Sequence, residues 1–302
     1  MIPEAMTGAA KQHAARFSIF SNISLTLFKL VVYTVTGSVS ILSEALHSGL
    51  DLVAAVMAFL AVRKSGDPAD AEHQFGHGKF ESLSGLAEGA LIMVAVVMIS
   101  LSAIHRLLIR HAPLSHPGLG VIVMGVSAVV NILVSRMLFR VSKKTDSLAL
   151  EADAWHLRTD VWTSVGVLVG MAAISVGRRL HVPGIDLLDP IIALGVALVI
   201  AKAAWDIMAQ SWGHLVDRSL PPDELTMIAS LLHEHYPEIA GFHRLRTRKA
   251  GSQRYIDLHV VVPGEESVAA AHVMCDHLEN DLKLLLPQAE VLIHVEPKGS
   301  SD

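Results

Sequence analysis

Two stretches of this chain place the same two metal-ligating residue types at the same spacing. EALHSGLDLVAAVMAFLAV, residues 44–62, carries His47 and Asp51, and WHLRTDVWTSVGVLVG, residues 155–170, carries His156 and Asp160. On a helix, His-x-x-x-Asp stacks both side chains on one face, one turn apart. Both stretches are otherwise apolar enough for a lipid bilayer, where a carboxylate at mid-depth costs roughly 2.5–3.5 kcal/mol on insertion scales. A divalent cation held between the two helices would offset that cost. Two imidazoles and two carboxylates make a tetrahedral N2O2 set, which suits Zn²⁺. A single pair is better explained by an intrahelical hydrogen bond lining an interface, but recurrence in a second apolar segment favours the metal.

Two further constellations lie outside the apolar segments. In DPADAEHQFGHGKFE, residues 67–81, Asp70, His73 and His77 follow the pattern D-x2-H-x3-H. A solvated, turn-rich loop accounts for them, and so does a loop metal site with glycines on either side of His77 to wrap the backbone around an ion. Near the carboxy end, His294 and Glu296 are two apart and so share one face of a strand. His259 on the preceding strand, His243 on the strand before that and His272 on a helix could complete a site. His214, His233, His235 and His277 read as solvated surface residues.

The elements that must hold these residues follow from composition. The chain has 302 residues, 52% hydrophobic and 18% charged, with a mean hydropathy of +0.47, which indicates a membrane protein. Its formal net charge of −5 gives no basis for a nucleic-acid surface. Cys275 is the single cysteine, so an internal disulfide and a cysteine zinc site are excluded and any metal must rest on His, Asp and Glu. Six apolar windows are long enough to span a bilayer: about 17–36, 39–63, 82–108, 117–141, 148–177 and 187–210. Residues 1–16 form a polar amino-terminal arm rather than a cleavable signal. Arg63, Lys64, Lys79, Lys143 and Lys144 in the even-numbered loops, with Lys11 and Arg16 in the arm, outweigh Arg110, Arg178 and Arg179 on the other side. By the positive-inside rule both termini are then cytoplasmic.

The composition changes after about residue 212. Residues 213–302 hold 8 Lys and Arg, 14 Asp and Glu, and 8 of the 17 histidines, an acidic, His-rich domain. A helix is expected at about 223–236, a strand pair around the Lys-Ala-Gly-Ser turn at 249–252, a helix at 265–286 and a closing strand in EVLIHVEP. The fold class is therefore an α-helical transmembrane bundle of six spans, residues 17–212, followed by a cytoplasmic α+β domain of order α-β-β-α-β, residues 213–302.

TGSVSILSEALHSGLD, FGHGKFESL, WHLRTDVWTS and LVDRSLP, in that order, resemble blocks of the cation diffusion facilitator family, specifically its bacterial zinc and ferrous-iron efflux branch. The resemblance covers nearly the whole chain and implies six spans plus a metallochaperone-like, ferredoxin-like tail. It also implies a homodimer in the inner membrane. By position, His47, Asp51, His156 and Asp160 fall on the family's transport site, and Asp70, His73 and His77 on its loop site. His243, His259, His272 and His294 fall on its binuclear cytoplasmic site, with His272 in the bridging place and Glu296 where close relatives carry Asp. Lys79 and Asp217 occupy the positions of a charge pair between protomers. Iron and zinc members often have Asp in place of His47, so two His with two Asp lean toward Zn²⁺, with Cd²⁺, Fe²⁺, Co²⁺ and Mn²⁺ as neighbouring candidates.

Imidazole binds metal only when neutral, and its ordinary pKa near 6.5 lets protons compete with the ion. The expected activity is Zn²⁺/H⁺ antiport by alternating access, with the tail sensing metal. The alternatives are a membrane-embedded zinc hydrolase, which would need a general base and a substrate cleft that the sequence does not display, and a passive divalent-metal channel.

Overall fold

The computed structural model describes residues 4–37, 39–108, 118–180, 185–236 and 239–299. It divides into two compact units, residues 1–212 and 213–302.

The first unit is helical: α1 Glu4–Thr36, α2 Val39–Ser65, α3 Lys79–Leu108, α4 Gly118–Thr145, α5 Leu148–Arg179 and α6 Leu188–Leu215, the last running three residues past the unit boundary. At 1.5 Å per residue even the 27-residue α2 is about 40 Å long, more than a bilayer core needs. Five of the six, α1 to α4 and α6, are long and apolar enough to cross a membrane over their described residues. α5 gathers Glu151, Asp153, His156, Arg158 and Asp160 in its first half and turns apolar after them, where some side chains lie outside the described set. The amino-terminal arm is not a separate element, because α1 begins at Glu4 and continues without a break. Arg63 and Lys64 end α2, and Lys143 and Lys144 end α4, where cations complement the helix dipole.

Small residues let these helices approach closely. Ala54, Ala55, Ala58, Ala149, Ala152 and Ala154 are buried, whereas Phe20, Leu27, Val31, Leu50 and Trp205 point outward. On α3, Gly85 and Gly89 form a G-x-x-x-G step against α6: a Cβ on Gly89 would lie 2.6 Å from Met208 Cγ, and one on Gly85 2.7 Å from Ser211 Oγ.

The second unit has the expected order: α7 Pro222–His235, β1 Gly241–Ala250, β2 Gln253–Val262, α8 Val268–Leu285 and β3 Ala289–Pro297. The sheet runs β1-β2-β3, antiparallel between the first pair and parallel between the second. Gly251, at φ 62°, makes the tight β1–β2 turn. Alternation along β2 buries Ile256, Leu258, Val260 and Val262 against Ile228 and Leu232 of α7 and Leu278 and Leu282 of α8. Asp257 and His259 are left on the opposite face. Ser267 caps α8 by accepting from the Ala270 N–H at 3.1 Å.

Candidate metal sites

α2 and α5 pack together and bring the two His-x-x-x-Asp pairs into one place. His156 Nε2 lies 3.2 Å from Asp51 Oδ1, and His47 Nε2 lies 3.6 Å from Asp160 Oδ1 and 3.8 Å from Asp51 Oδ1. His47, Asp51 and Asp160 offer ligand atoms within 4.8 Å of one another, and His156 joins them through Asp51. Asp51 is buried, yet the Asp160 Oδ2 and His156 Nδ1 atoms have no hydrogen-bond partner. Buried polar atoms are normally satisfied, so the set retains unused hydrogen-bonding and ligating capacity. His47 opens onto a cavity of about 200 Å³ lined also by Lys29, Glu44, Ser127, Asn131 and Thr163.

The α2–α3 loop gathers Asp70, His73 and His77 into a second group. Asp70 Oδ1 accepts the backbone N–H of His73 at 2.6 Å and of Glu72 at 3.0 Å. The His73 N–H above all, opposed in part by desolvation and aided by Glu72 N–H and the two histidines, holds the Asp70 carboxyl below its ordinary value. His73 Nδ1 and His77 Nε2 stand 3.4 and 3.3 Å from the same carboxylate, with ring centroids 4.4 Å apart. His77 is 2% exposed and neither ring nitrogen has a hydrogen-bond partner. A buried imidazole left so is costly, and a metal ion shared with Asp70 and His73 would satisfy its Nε2, the nitrogen nearest Asp70. Gly76, at φ 74°, turns the backbone to place His77.

In the tail, Glu296 of β3 is the hub. Its Oε1 is 2.7 Å from His259 Nδ1 and 3.6 Å from His294 Nε2, and its Oε2 is 3.1 Å from His243 Nε2. The His259 contact foremost, and then His243, hold the Glu296 carboxyl low against the desolvation that opposes them. β register puts His243 opposite His259 and His259 beside His294. A one-residue bulge follows on β1, where the step from His243 to Arg246 faces the step from His259 to Asp257 and Arg244 has φ 48°. His272 is not brought to this group. It sits on α8, largely exposed, 3.8 Å from Asp276. Lys79 opens α3 in the first unit, and Asp217, in the tail, meets Arg248 at 3.4 Å.

Compared with known proteins, residues 15–216 match the cation efflux transmembrane domain and residues 220–298 the cation efflux protein cytoplasmic domain. An uncharacterized transporter of Synechocystis sp. is 39% identical over 292 residues, 97% of this chain and 92% of that protein. The chain belongs to the cation diffusion facilitator family. The cation-efflux pump FieF of Escherichia fergusonii is 34% identical over 273 residues, covering 90% of this chain and 88% of the pump. Among solved structures, the metal-bound C-terminal domain of the CzcD transporter from Thermotoga maritima is 31% identical over 28% of this chain and all of that domain, with a TM-score of 0.26. As a cation diffusion facilitator the chain is a membrane-embedded, multi-pass cation efflux transporter and not an enzyme.

Several polar groups of this transporter are not singled out by sequence reasoning. Lys11 Nζ meets Glu81 Oε1 at 2.9 Å, and Glu81 also accepts from Ser65 at 3.0 Å and Ser147 at 2.6 Å, tying α1, α2, α3 and the start of α5. Glu88 on α3 and Asp153 on α5 are fully buried, with Glu88 Oε2 and both Asp153 oxygens lacking a hydrogen-bond partner. For Asp153 a signal exists: Asp153, His156 and Asp160 recur at i, i+3 and i+7, one helix face. For Lys11 and Glu81, 70 residues apart, the sequence offers none.

Proposed function

We propose that this cation efflux transporter exports Zn²⁺ in exchange for protons, with His47, Asp51, His156 and Asp160 as ligands of the carried ion. The convergence of the two His-x-x-x-Asp pairs from α2 and α5 carries this reading. A four-ligand N2O2 set suits zinc, and a shell without an open position suits carriage rather than reaction with bound water. Neutral imidazole ligands make ion binding and protonation mutually exclusive at His47 and His156, which is the coupling an exchanger needs.

The basic loops support cytoplasmic termini in an inner membrane. On that sidedness Lys29 and Glu44, which line the cavity with His47, lie between the ligands and the outer ends of α1 and α2. The cluster around Glu81 lies at the opposite, cytoplasmic end. This arrangement fits a form open outward, and export follows when the bundle rocks between this form and one open inward. Asp70, His73 and His77 would hold a second ion in the loop. His243, His259 and Glu296, with His294 at their edge, would hold a regulatory ion in the tail, where His272 would have to arrive from α8 to complete a binuclear set. The tail also serves a homodimer, with Lys79 of one protomer paired to Asp217 across the interface.

The test is Zn²⁺ flux into proteoliposomes with and without an imposed pH gradient. Flux that rises with the gradient and vanishes in Asp51→Ala supports the proposal. Flux indifferent to the gradient overturns antiport in favour of a channel, and flux that survives Asp51→Ala overturns the site.

A further inference from the structure

A buried lysine stands beside the candidate transport site. Lys29 of α1 is 3% exposed, with its Nζ 2.7 Å from Ser48 Oγ, 3.2 Å from Glu44 Oε2 and 3.4 Å from the Glu44 carbonyl oxygen. Lys29, Glu44, His47, Asp51 and Asp160 line one cavity of about 200 Å³. On α2, Glu44, His47 with Ser48, and Asp51 recur at i, i+3 or i+4, and i+7, a single face. The cavity thus holds three carboxylates and one resident ammonium, and that ammonium is tethered by the carboxylate that lies one turn before His47 and two before Asp51.

We propose that Lys29 is an internal counter-cation that sets how tightly the cavity holds its divalent cargo, and that Glu44 is the tether that keeps the ammonium away from Asp51. The inference rests on the transport-site reading. A fixed positive charge sharing a partly desolvated cavity with a dication repels it over several ångströms, and the Glu44 carboxylate cancels part of the repulsion. Lys29 therefore keeps affinity low enough for release from the cavity, and Ser48 and Glu44 hold it short of the ligands. Lysine suits the role because its charge is compact and carried on a long apolar stem.

The two partners have effects of opposite sign, which a merely structural pair would not. Lys29→Gln removes the repulsion: the KM for Zn²⁺ falls about tenfold and the maximal rate falls with it, because release slows. Glu44→Gln frees the ammonium to swing toward Asp51, and KM rises by about the same factor. The double variant returns close to the wild-type KM, and so does Lys29→Arg, which keeps the charge. The measurement is initial Zn²⁺ flux against Zn²⁺ concentration for the full chain in proteoliposomes, with Lys29→Met as a second neutral variant should Lys29→Gln fail to fold. Shifts of KM in the same direction for Lys29→Gln and Glu44→Gln, an unchanged KM in Lys29→Gln, or a Lys29→Arg variant that behaves like Lys29→Gln would each overturn the proposal. Asp51→Ala run alongside separates the two levels. Flux surviving in it overturns the transport-site reading, whereas flux lost in it with an unmoved KM in Lys29→Gln overturns the Lys29 role alone.

Discussion

Lys11→Ala removes the counter-charge of a carboxylate with almost no access to water. The Glu81 side chain is 1% exposed and that of Lys11 9%, with the two charges 2.9 Å apart. At an effective dielectric constant near 20, that separation corresponds to an attraction of about 6 kcal/mol, most of it offset by the cost of taking both ions out of water. Removing the lysine leaves that cost in place while the attraction is lost. Ser65 and Ser147 still donate to Glu81, at 3.0 and 2.6 Å, so the site is not stripped bare. A loss of about 3–5 kcal/mol is expected for Lys11→Ala. Glu81→Gln should cost less, about 1–2 kcal/mol, because an amide accepts from one serine and donates to the hydroxyl oxygen of the other, and Lys11 can extend its head group toward water. The apolar pair Lys11→Met with Glu81→Leu should recover most of the loss. Reversible unfolding in mixed detergent micelles, followed by circular dichroism, measures all three. A Lys11→Ala protein within about 1 kcal/mol of wild type, or one no less stable than Glu81→Gln, would refute the picture of a buried clasp.

Three other outcomes follow from the geometry. Gly89→Ala should destabilise by about 1–3 kcal/mol in the same unfolding assay, because its Cβ would press on Met208 Cγ at 2.6 Å and on the Ala204 carbonyl oxygen at 3.3 Å. His77→Ala should weaken zinc binding at the loop by at least about tenfold in competition with a chelating dye, since even residues that only support a ligand are worth 10–100-fold. In the tail, His259→Ala should weaken zinc binding by a similar factor and His272→Ala much less, because His259 touches Glu296 at 2.7 Å whereas His272 lies on α8 beside Asp276. Equal losses from the two histidine substitutions would show that α8 contributes a ligand after all.

Much of this fold is legible in the sequence because bilayer and sheet impose short, regular periods. Apolar runs of about 20 residues mark the helices to within a turn or so, with α1 the exception. There the helix continues through the polar residues of the arm, which lose nothing by staying helical beyond the apolar window. The tail order was equally visible, since two-residue alternation from Tyr255 to Val262 cannot bury one face as a helix would. The β1 bulge after His243 was not visible. Its local strain at Arg244 is set by the need to pair with β2 on both sides of the irregularity.

What the sequence determined by itself is which residue types lie on which face: His47 with Asp51, His156 with Asp160, and His294 with Glu296. Helix and strand periods are local, and they act wherever the element ends up. Tertiary structure alone decided which faces meet. It brought α2 to α5, set Lys29 against Glu44 and Ser48, buried Glu81 under Lys11, and left His272 on α8 away from the sheet histidines. The pairings that form join different helices, from 15 residues apart for Lys29 with Glu44 to 105 for His156 with Asp51, and the free energy of burying a charge with its partner is settled only when the helices pack.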